Sequence, residues 1–406
     1  MKQTQTKLFD FSDVGLDFCA GSKNLFPDRF KNMLSLGYNV QTVLSVAVTG
    51  NQVTLTYGSA HGYVADRVLK VNSGVLTSIN GGEFRIDSVT TNTVTMTIDD
   101  APLSVTSGFT TKIAPLGWSL EYESANVHVY KFKDIDESDL YLRLVFQSAG
   151  SNQRNVILPC VGKTIDMTSG VITDNASYDN GRSATSPQAA VAKWEFAATI
   201  SATYNNYTYS QGYSFFGKGI LIGSQYHMLT LSNSDANTRK GVINGFVPAA
   251  SFFPSTNYPL LLLYDTGDAT VSTANTNLFF FRVGVLGNIR CSFAISNSNS
   301  AIVQLTPQAY SSFLSGQVDP FNTTTTEPLS LYELSTKQFL GYSCGGIYTA
   351  KYSSANQPGV TPLLSPSETI DVDFGSKVYV HTWGGSGVAG PDVFYAIPLE
   401  EIKYGA

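Results

Sequence analysis

Residues 43–113 read VLSVAVTGNQVTLTYGSAHGYVADRVLKVNSGVLTSINGGEFRIDSVTTNTVTMTIDDAPLSVTSGFTTKI. Short β-rich runs alternate with turn residues. Asn51-Gln52 separates SVAV from VTLTY, Asn80-Gly81-Gly82 separates LTSI from EFRIDSV, and Thr91-Asn92 lies between DSVT and TVTMTI. Val, Leu, Phe and Ile alternate with Thr, Arg and Asp, the period-two pattern of strands with one buried face. Asn-Gly supplies the positive φ angles that tight hairpins need. A stretch of about 70 residues suffices for a small β-barrel or sandwich. The reading is a small β-module, residues 43–113, that interrupts a larger unit.

Outward from the module, residues 1–42 hold one helix candidate, Asp28–Leu36 (DRFKNMLSL), with Pro27 at its start and Gly37 at its end. A shorter helix candidate is PQAAVAKWEF from Pro187. After the module WSLEYES, NVHVYKF and LYLRLVF read as strands, followed by VILPCVG and a polar stretch, Thr168–Ser186, that reads as a linker or long loop. From Trp194 the chain is aromatic and strand-like: EFAATISATY, YTYSQGYSFFGKGILIG, QYHMLTLS, PLLLLYD and the runs beyond them. No fixed-period repeat supports a solenoid. The expected fold is all-β: a multi-domain β-sandwich or barrel protein with an inserted barrel-like module and very little helix. Its domains are expected at 1–42 plus 114–190, at 43–113 and at 191–406.

Composition narrows the function classes. Charged residues make up 14 % of the 406, against a usual value of about 25 %. Ser, Thr, Asn and Gln therefore supply the polar surface, which suits sheet faces and large contacts between subunits, where charge is costly to desolvate. The net charge is −6 and the basic residues are scattered, which argues against duplex DNA as a partner. The longest apolar stretches, PLLLLY and LFFFRVGVL, fall short of the roughly 18 residues of a membrane span, and the first residues lack the apolar core of a secretory signal. Cys19, Cys160, Cys291 and Cys344 form no C-x-x-C pair. They read as buried thiols of a protein made in a reducing cytoplasm.

Candidate chemistry is sparse. Gly385-Ser386-Gly387-Val388-Ala389-Gly390 fits G-x-G-x-x-G, but Pro391 and a strand-like run follow where a phosphate site needs a helix. Asp265-Thr266-Gly267 resembles an aspartic-protease turn, yet the chain holds no second copy to supply the partner carboxylate. Asp134–Asp139 (DIDESD) begins like a calcium loop, but Asp139 stands where the glycine belongs and Val145 where the glutamate belongs. A solvated acidic turn is preferred there, with a calcium site outside the EF-hand class as the alternative. His61, His128, His227 and His381 are isolated from one another and read as turn or packed residues. No residue is nominated as catalytic, cofactor-binding or metal-ligating. Tyr204, Tyr207, Tyr209, Tyr213, Phe215 and Phe216 are the candidates for a stacking or interface surface.

His61-Gly62-Tyr63, Asp66–Val71, Ile79–Ile86, Val89 and Thr91–Thr97 together resemble a small β-module of tailed-bacteriophage virion proteins. Gly117-Trp118, Val129-Tyr130-Lys131, Leu140–Leu144, Val161–Gly170, Trp194 and Gly219–Leu231 are similar in order to a class of phage structural proteins that often carry such an insertion. The resemblance spans residues 25–235. It departs from the pattern in lacking aspartates after LYLRL, and it finds no counterpart in 240–406. It implies a virion component of the tail, tail sheath, collar or baseplate, made in the host cytoplasm. Such a subunit would form homo-oligomers, contact other tail or collar proteins and reach the host surface. The alternatives are a receptor- or glycan-binding tail protein and a capsid decoration protein. A depolymerase would need paired carboxylates, for which Asp265, Asp371 and Asp373 are the candidates. Deleting residues 45–112 and joining the ends is expected to leave a soluble, folded remainder; an insoluble product would count against insertion.

Overall fold

The computed structural model describes residues 6–148, 153–187, 191–235, 241–264, 282–293, 325–351, 363–371, 376–382 and 394–399. The fold is all-β, with several antiparallel sheets and three short α-helices among these residues.

In the module, strand Tyr38–Thr49 serves two neighbours: its first part pairs with Thr110–Ile113 and its second with Gln52–Tyr57. The sheet runs Glu83–Arg85, Val68–Asn72, Thr110–Ile113, Tyr38–Thr49, Gln52–Tyr57, Thr93–Thr97, Ser88–Val89. Its two edges are consecutive in the chain. Between them the Ile86 amide donates to Arg67 O at 2.8 Å and the Asp87 amide to Thr95 O at 2.9 Å. One bent strand thus pairs on both sides and closes a barrel filled by Val43, Val53, Leu55, Leu69, Ile86, Val94 and Met96. The first hairpin turns at Gly50-Asn51, one residue before Asn51-Gln52, because Gly50 takes the left-handed φ of +58°. LTSI is not a strand. Asn80 Oδ1 accepts from the Ser73 and Gly74 amides, both at 2.9 Å, and holds this stretch as a polar loop with one 3-10 turn at Gly74–Leu76.

The largest sheet runs Lys7–Asp10, Gly219–Gly223, Met228–Asn233, Gly241–Val247, Leu260–Tyr264, Arg282–Leu286, Ile289–Ser292, Ser330–Glu333, Phe339–Ser343, Ala249–Ser251. Only Pro248 parts Gly241–Val247 from Ala249–Ser251, so the pairing comes full circle through one broken strand. Proline suits the break, since it has no amide to donate, and its carbonyl accepts from the Cys344 amide at 2.8 Å. At the closing pair Gly341 has φ +147°, and a Cβ there would meet Ala250 O at 1.9 Å. A five-stranded sheet runs Trp194–Glu195, Val156–Gly162, Asp139–Phe146, Val127–Lys133, Ser119–Ser124. A C-terminal one runs Thr325–Pro328, Tyr348–Lys351, Phe394–Pro398, Ser376–Thr382, Ser367–Asp371.

Strand pairing crosses the expected division at 190 both ways. Lys7–Asp10 pairs with Gly219–Gly223, and Trp194–Glu195 pairs with Val156–Gly162. A buried ion pair, Arg154 Nη1 to Glu195 Oε2 at 2.7 Å, lies at this junction. The Trp194 indole N–H donates to Leu262 O at 2.9 Å, and Asn244 Nδ2 donates to Glu195 O at 2.8 Å.

Helix α1 (Phe26–Lys31) starts with Pro27 in its first turn and runs into one π turn, Asn32–Leu36, stopped by Gly37 at φ +76°. The helix expected from Pro187 is absent among the described residues, since Trp194–Glu195 is recruited as a sheet edge. Thr168–Ser186 is no free linker. The buried Arg143 guanidinium donates to Gly170 O at 2.8 Å and Gly181 O at 2.9 Å, pinning the stretch and its single helical turn α2 (Asp179–Arg182) to the sheet. YTYSQGYSFF, expected as strand, is helix α3 (Tyr209–Phe216), because Thr208 and Gln211 form a reciprocal capping box.

Gly341→Ala is expected to lower stability by at least about 2 kcal/mol through backbone strain at the closing pair. Urea midpoints compared with Gly50→Asn, where a side chain meets open space, test it. Equal midpoints for the two variants would show that the circle does not close there.

Candidate interaction surface

The residues with chemical potential are dispersed, and most of their polar atoms meet partners inside the fold. His61 accepts from the Tyr63 amide at Nδ1 (2.9 Å), which leaves Nε2–H to donate to Thr90 O and Thr93 O at 3.0 and 3.1 Å. It fixes a module turn, as its place beside Gly62 suggested. His128 Nδ1 lies 2.9 Å from Tyr130 Oη. His227 Nδ1 lies 2.9 Å from Ser224 Oγ, and His381 Nε2 donates to Ser232 O at 2.7 Å. All four rings are buried. The Ser224–His227 contact lies within a buried turn, so it offers no nucleophile to a substrate.

In the acidic turn each carboxylate is turned to its own partner. Asp134, raised by burial, accepts from the Ile135 amide. Asp136 accepts from the Ser138 amide, Glu137 from the Tyr226 hydroxyl at 2.7 Å, and Asp139 from Lys133 at 2.6 Å. Among the described residues no group of three His, Cys, Asp or Glu side chains is placed to hold a metal ion. The four thiols are free. Cys19, Cys160 and Cys291 are buried, and burial pushes Cys160 and Cys291 up to about 12. Asp265-Thr266-Gly267, Asp373 and the glycines at 385–390 lie outside the described residues, and Asp371 ends the strand Ser367–Asp371. No helix among the described residues is long and apolar enough to cross a membrane.

What the fold does assemble is apolar surface. The expected aromatic group gathers around α3: Tyr204 stacks on Phe215 at 4.9 Å and meets Tyr207 and Phe216 at 5.2 Å each. Tyr209 and Tyr213 lie 5.5 Å apart. Phe216 is buried and the other five are half-buried. The helix lies close on the N-terminal loop because Gly212 and Gly21 leave room, a Cβ at Gly212 falling 2.2 Å from Cys19 Sγ.

Two further surfaces escaped the sequence reading. On the large sheet Phe252, Phe339, Tyr332 and Tyr342 form a chain of rings with spacings of 4.9–5.6 Å, Phe252 being 66 % exposed. Where the N-terminal loop meets the module, Val14, Val40, Leu44 and Val64 are 46–63 % exposed. They stand about the uncharged loop 58–64, where Val14 fills the space beside Gly62 and Leu44 that beside Gly58. Val40 and Leu44 lie on the exposed side of strand Tyr38–Thr49, whose first five residues carried no strand reading in the sequence. No protein-family model matches the chain, and no curated protein matches it.

Burial holds the His128 and His381 imidazoles down to about 4 and His227 down to about 3, from 6.5. Unfolding exposes these rings to water, where they bind protons below about pH 6.5. Their contribution to stability is whole above that pH and is lost as pH falls toward the folded values. The urea midpoint is expected to drop between about pH 7 and about pH 5, and His227→Gln to shrink the drop. A midpoint flat over that range would mean the rings are already charged in the fold.

Proposed function

We propose that this chain is a non-enzymatic structural subunit that assembles symmetrically through the faces of its β-domains, in a tailed-bacteriophage particle, as a tail, tail-sheath, collar or baseplate component. The observation that carries the assembly reading is the uncharged apolar surface at Val14, Val40, Leu44 and Val64, joined by the ring patch at Phe252, Tyr332, Phe339 and Tyr342. Water-exposed aliphatic and aromatic groups gain free energy when a neighbour covers them. Repeated heterologous contacts would build rings or a sheath. The assignment to a phage particle rests on the sequence resemblance across residues 25–235.

A glycan-binding role at the host surface is the second reading. The observation favouring it is the ring patch, whose members tilt by 52–73° to one another and so offer several separate faces. A capsid decoration subunit would use the same surfaces.

Light scattering over a range of concentrations tests the assembly reading. A ring-sized oligomer, or a monomer that polymerises on concentration, is expected, and Val40→Asp with Leu44→Asp should weaken association at least about tenfold. A concentration-independent monomer would count against self-assembly. A stable trimer that Phe252→Ser leaves intact, but whose glycan binding it removes, would favour the second reading.

A further inference from the structure

The barrel of residues 43–113 is joined to the body in two physically different ways. At the neck, Tyr38 pairs with Ile113, the Ala114 amide donates to Val68 O at 2.8 Å, and apolar side chains run on into the main core. Along the flank formed by Asp66–Lys70 and Glu83–Arg85 the contact is ionic. Arg67 makes a two-pronged contact with Asp13, Nε to Oδ2 at 2.8 Å and Nη2 to Oδ1 at 2.9 Å, and the Tyr38 hydroxyl donates to the same carboxylate at 2.7 Å. Glu83 lies 2.6 Å from Lys7 of the N-terminal strand and 3.1 Å from the module's own Lys70. Asp66 bridges Arg85 at 2.7 Å and Lys377 of the C-terminal sheet.

This placement is not what a scattered surface would give. The module has nine charged residues, and five of them, Asp66, Arg67, Lys70, Glu83 and Arg85, lie on this flank. Their partners come from segments far apart in the chain: Lys7, Asp13 and Lys377. The barrel closes its own backbone pairing, so it does not need the body to satisfy its edges. A seam of exposed charge is weaker than an apolar one, because water and ions can replace each partner.

We propose that the module is a latched arm: the ionic seam holds it against the N-terminal strand and the C-terminal sheet, and loss of the seam charges lets it swing out intact about the neck at Gly37–Tyr38 and Ile113–Ala114. The inference stands independently of the assembly reading. Asp13, Arg67 and Lys7 sit deep, with side chains 6 %, 7 % and 6 % exposed; Asp66, Arg85 and Lys377 are 24 %, 49 % and 31 % exposed and form a rim open to solvent. The rim responds to salt, since the screening length falls to about 3 Å at 1 M.

Acid acts in the same direction. Burial alone would raise Asp66 and Glu83, but bonds from Lys377 and Arg85 to the first, and the charge of Lys7 with bonds from Lys7 and Lys70 to the second, hold both below their ordinary values. Glu368 faces Lys377 from the neighbouring strand and accepts from the Tyr379 hydroxyl. Asp10 lies on the Asp13 side, its amide donating to Asp13. A depressed carboxylate stabilises the latched form above its unfolded pKa and ceases to as pH falls through the folded one, so release belongs below the ordinary carboxylate range.

The test places nitroxide labels, attached through non-cysteine chemistry, at Val75 on the module and Glu121 on the body of the full chain. Pulsed electron resonance reads the distance distribution while hydrogen exchange follows strands Gln52–Tyr57 and Thr93–Thr97. One distance is expected for the native chain in low salt. Asp66→Asn with Glu83→Gln should raise a second population about tenfold, each lost contact counting for a factor of about three. Salt at 1 M should raise it in the native chain, and exchange protection inside the barrel should persist throughout. A single unshifted distance in the variant and in salt would overturn the latch. So would loss of barrel protection together with the distance change, because the module would then be melting rather than swinging.

Discussion

An unpaired strand edge is the constraint around which this chain is organised. Each edge presents amides and carbonyls that need partners, and an open edge invites pairing with another molecule. The fold meets this twice with the same device. In the module one strand bends at Ile86-Asp87 and bonds to neighbours on both sides. In the large sheet the strand broken at Pro248 pairs first with Leu260–Tyr264 and then with Phe339–Ser343. In these two closed pairings the backbone is satisfied internally, and what remains there for outside contacts is the side-chain surface.

Scarcity of charge gives the ions present a distinct role. Arg154 and Glu195 tie the five-stranded sheet at its junction with the large one, Asp13 and Arg67 tie the module to the N-terminal loop, and Arg143 holds a loop by its carbonyls. Buried charges cost desolvation and return it only with complete partners, so such residues add register more than they add stability. They select one way for sheets of similar apolar character to meet.

The module was legible because period two, turn glycines and Asn-Gly coincide in it. Helix α1 was legible from Pro27 and Gly37. Helix α3 was missed because Tyr and Phe favour strands in isolation, and the cue that outweighed them, Thr208 with Gln211, is a pair of polar residues three apart. The closures are encoded in the geometry of whole sheets: Pro248 marks one bend, while nothing in Ile86-Asp87 marks the other. His61 sits at a turn and His128 and His381 in packed strands, as read, while His227 lies buried in the turn before its strand. The aromatic group at 204–216 was visible as composition, whereas the Phe252 patch gathers rings from two strands and a bend that only the fold brings together.

The pairing of Lys7–Asp10 with Gly219–Gly223 has a consequence in time. Synthesis proceeds from the N-terminus, so this strand leaves the ribosome long before its partner, which comes only after more than half of the chain. The module, whose pairings all lie within residues 38–113, can close meanwhile and set Glu83 and Arg67 in place. Those two side chains are then available to hold Lys7 and Asp13, so the early strand has a berth before it has a sheet. The module thereby meets the segment made just ahead of it with side chains of opposite charge, Glu83 for Lys7 and Arg67 for Asp13.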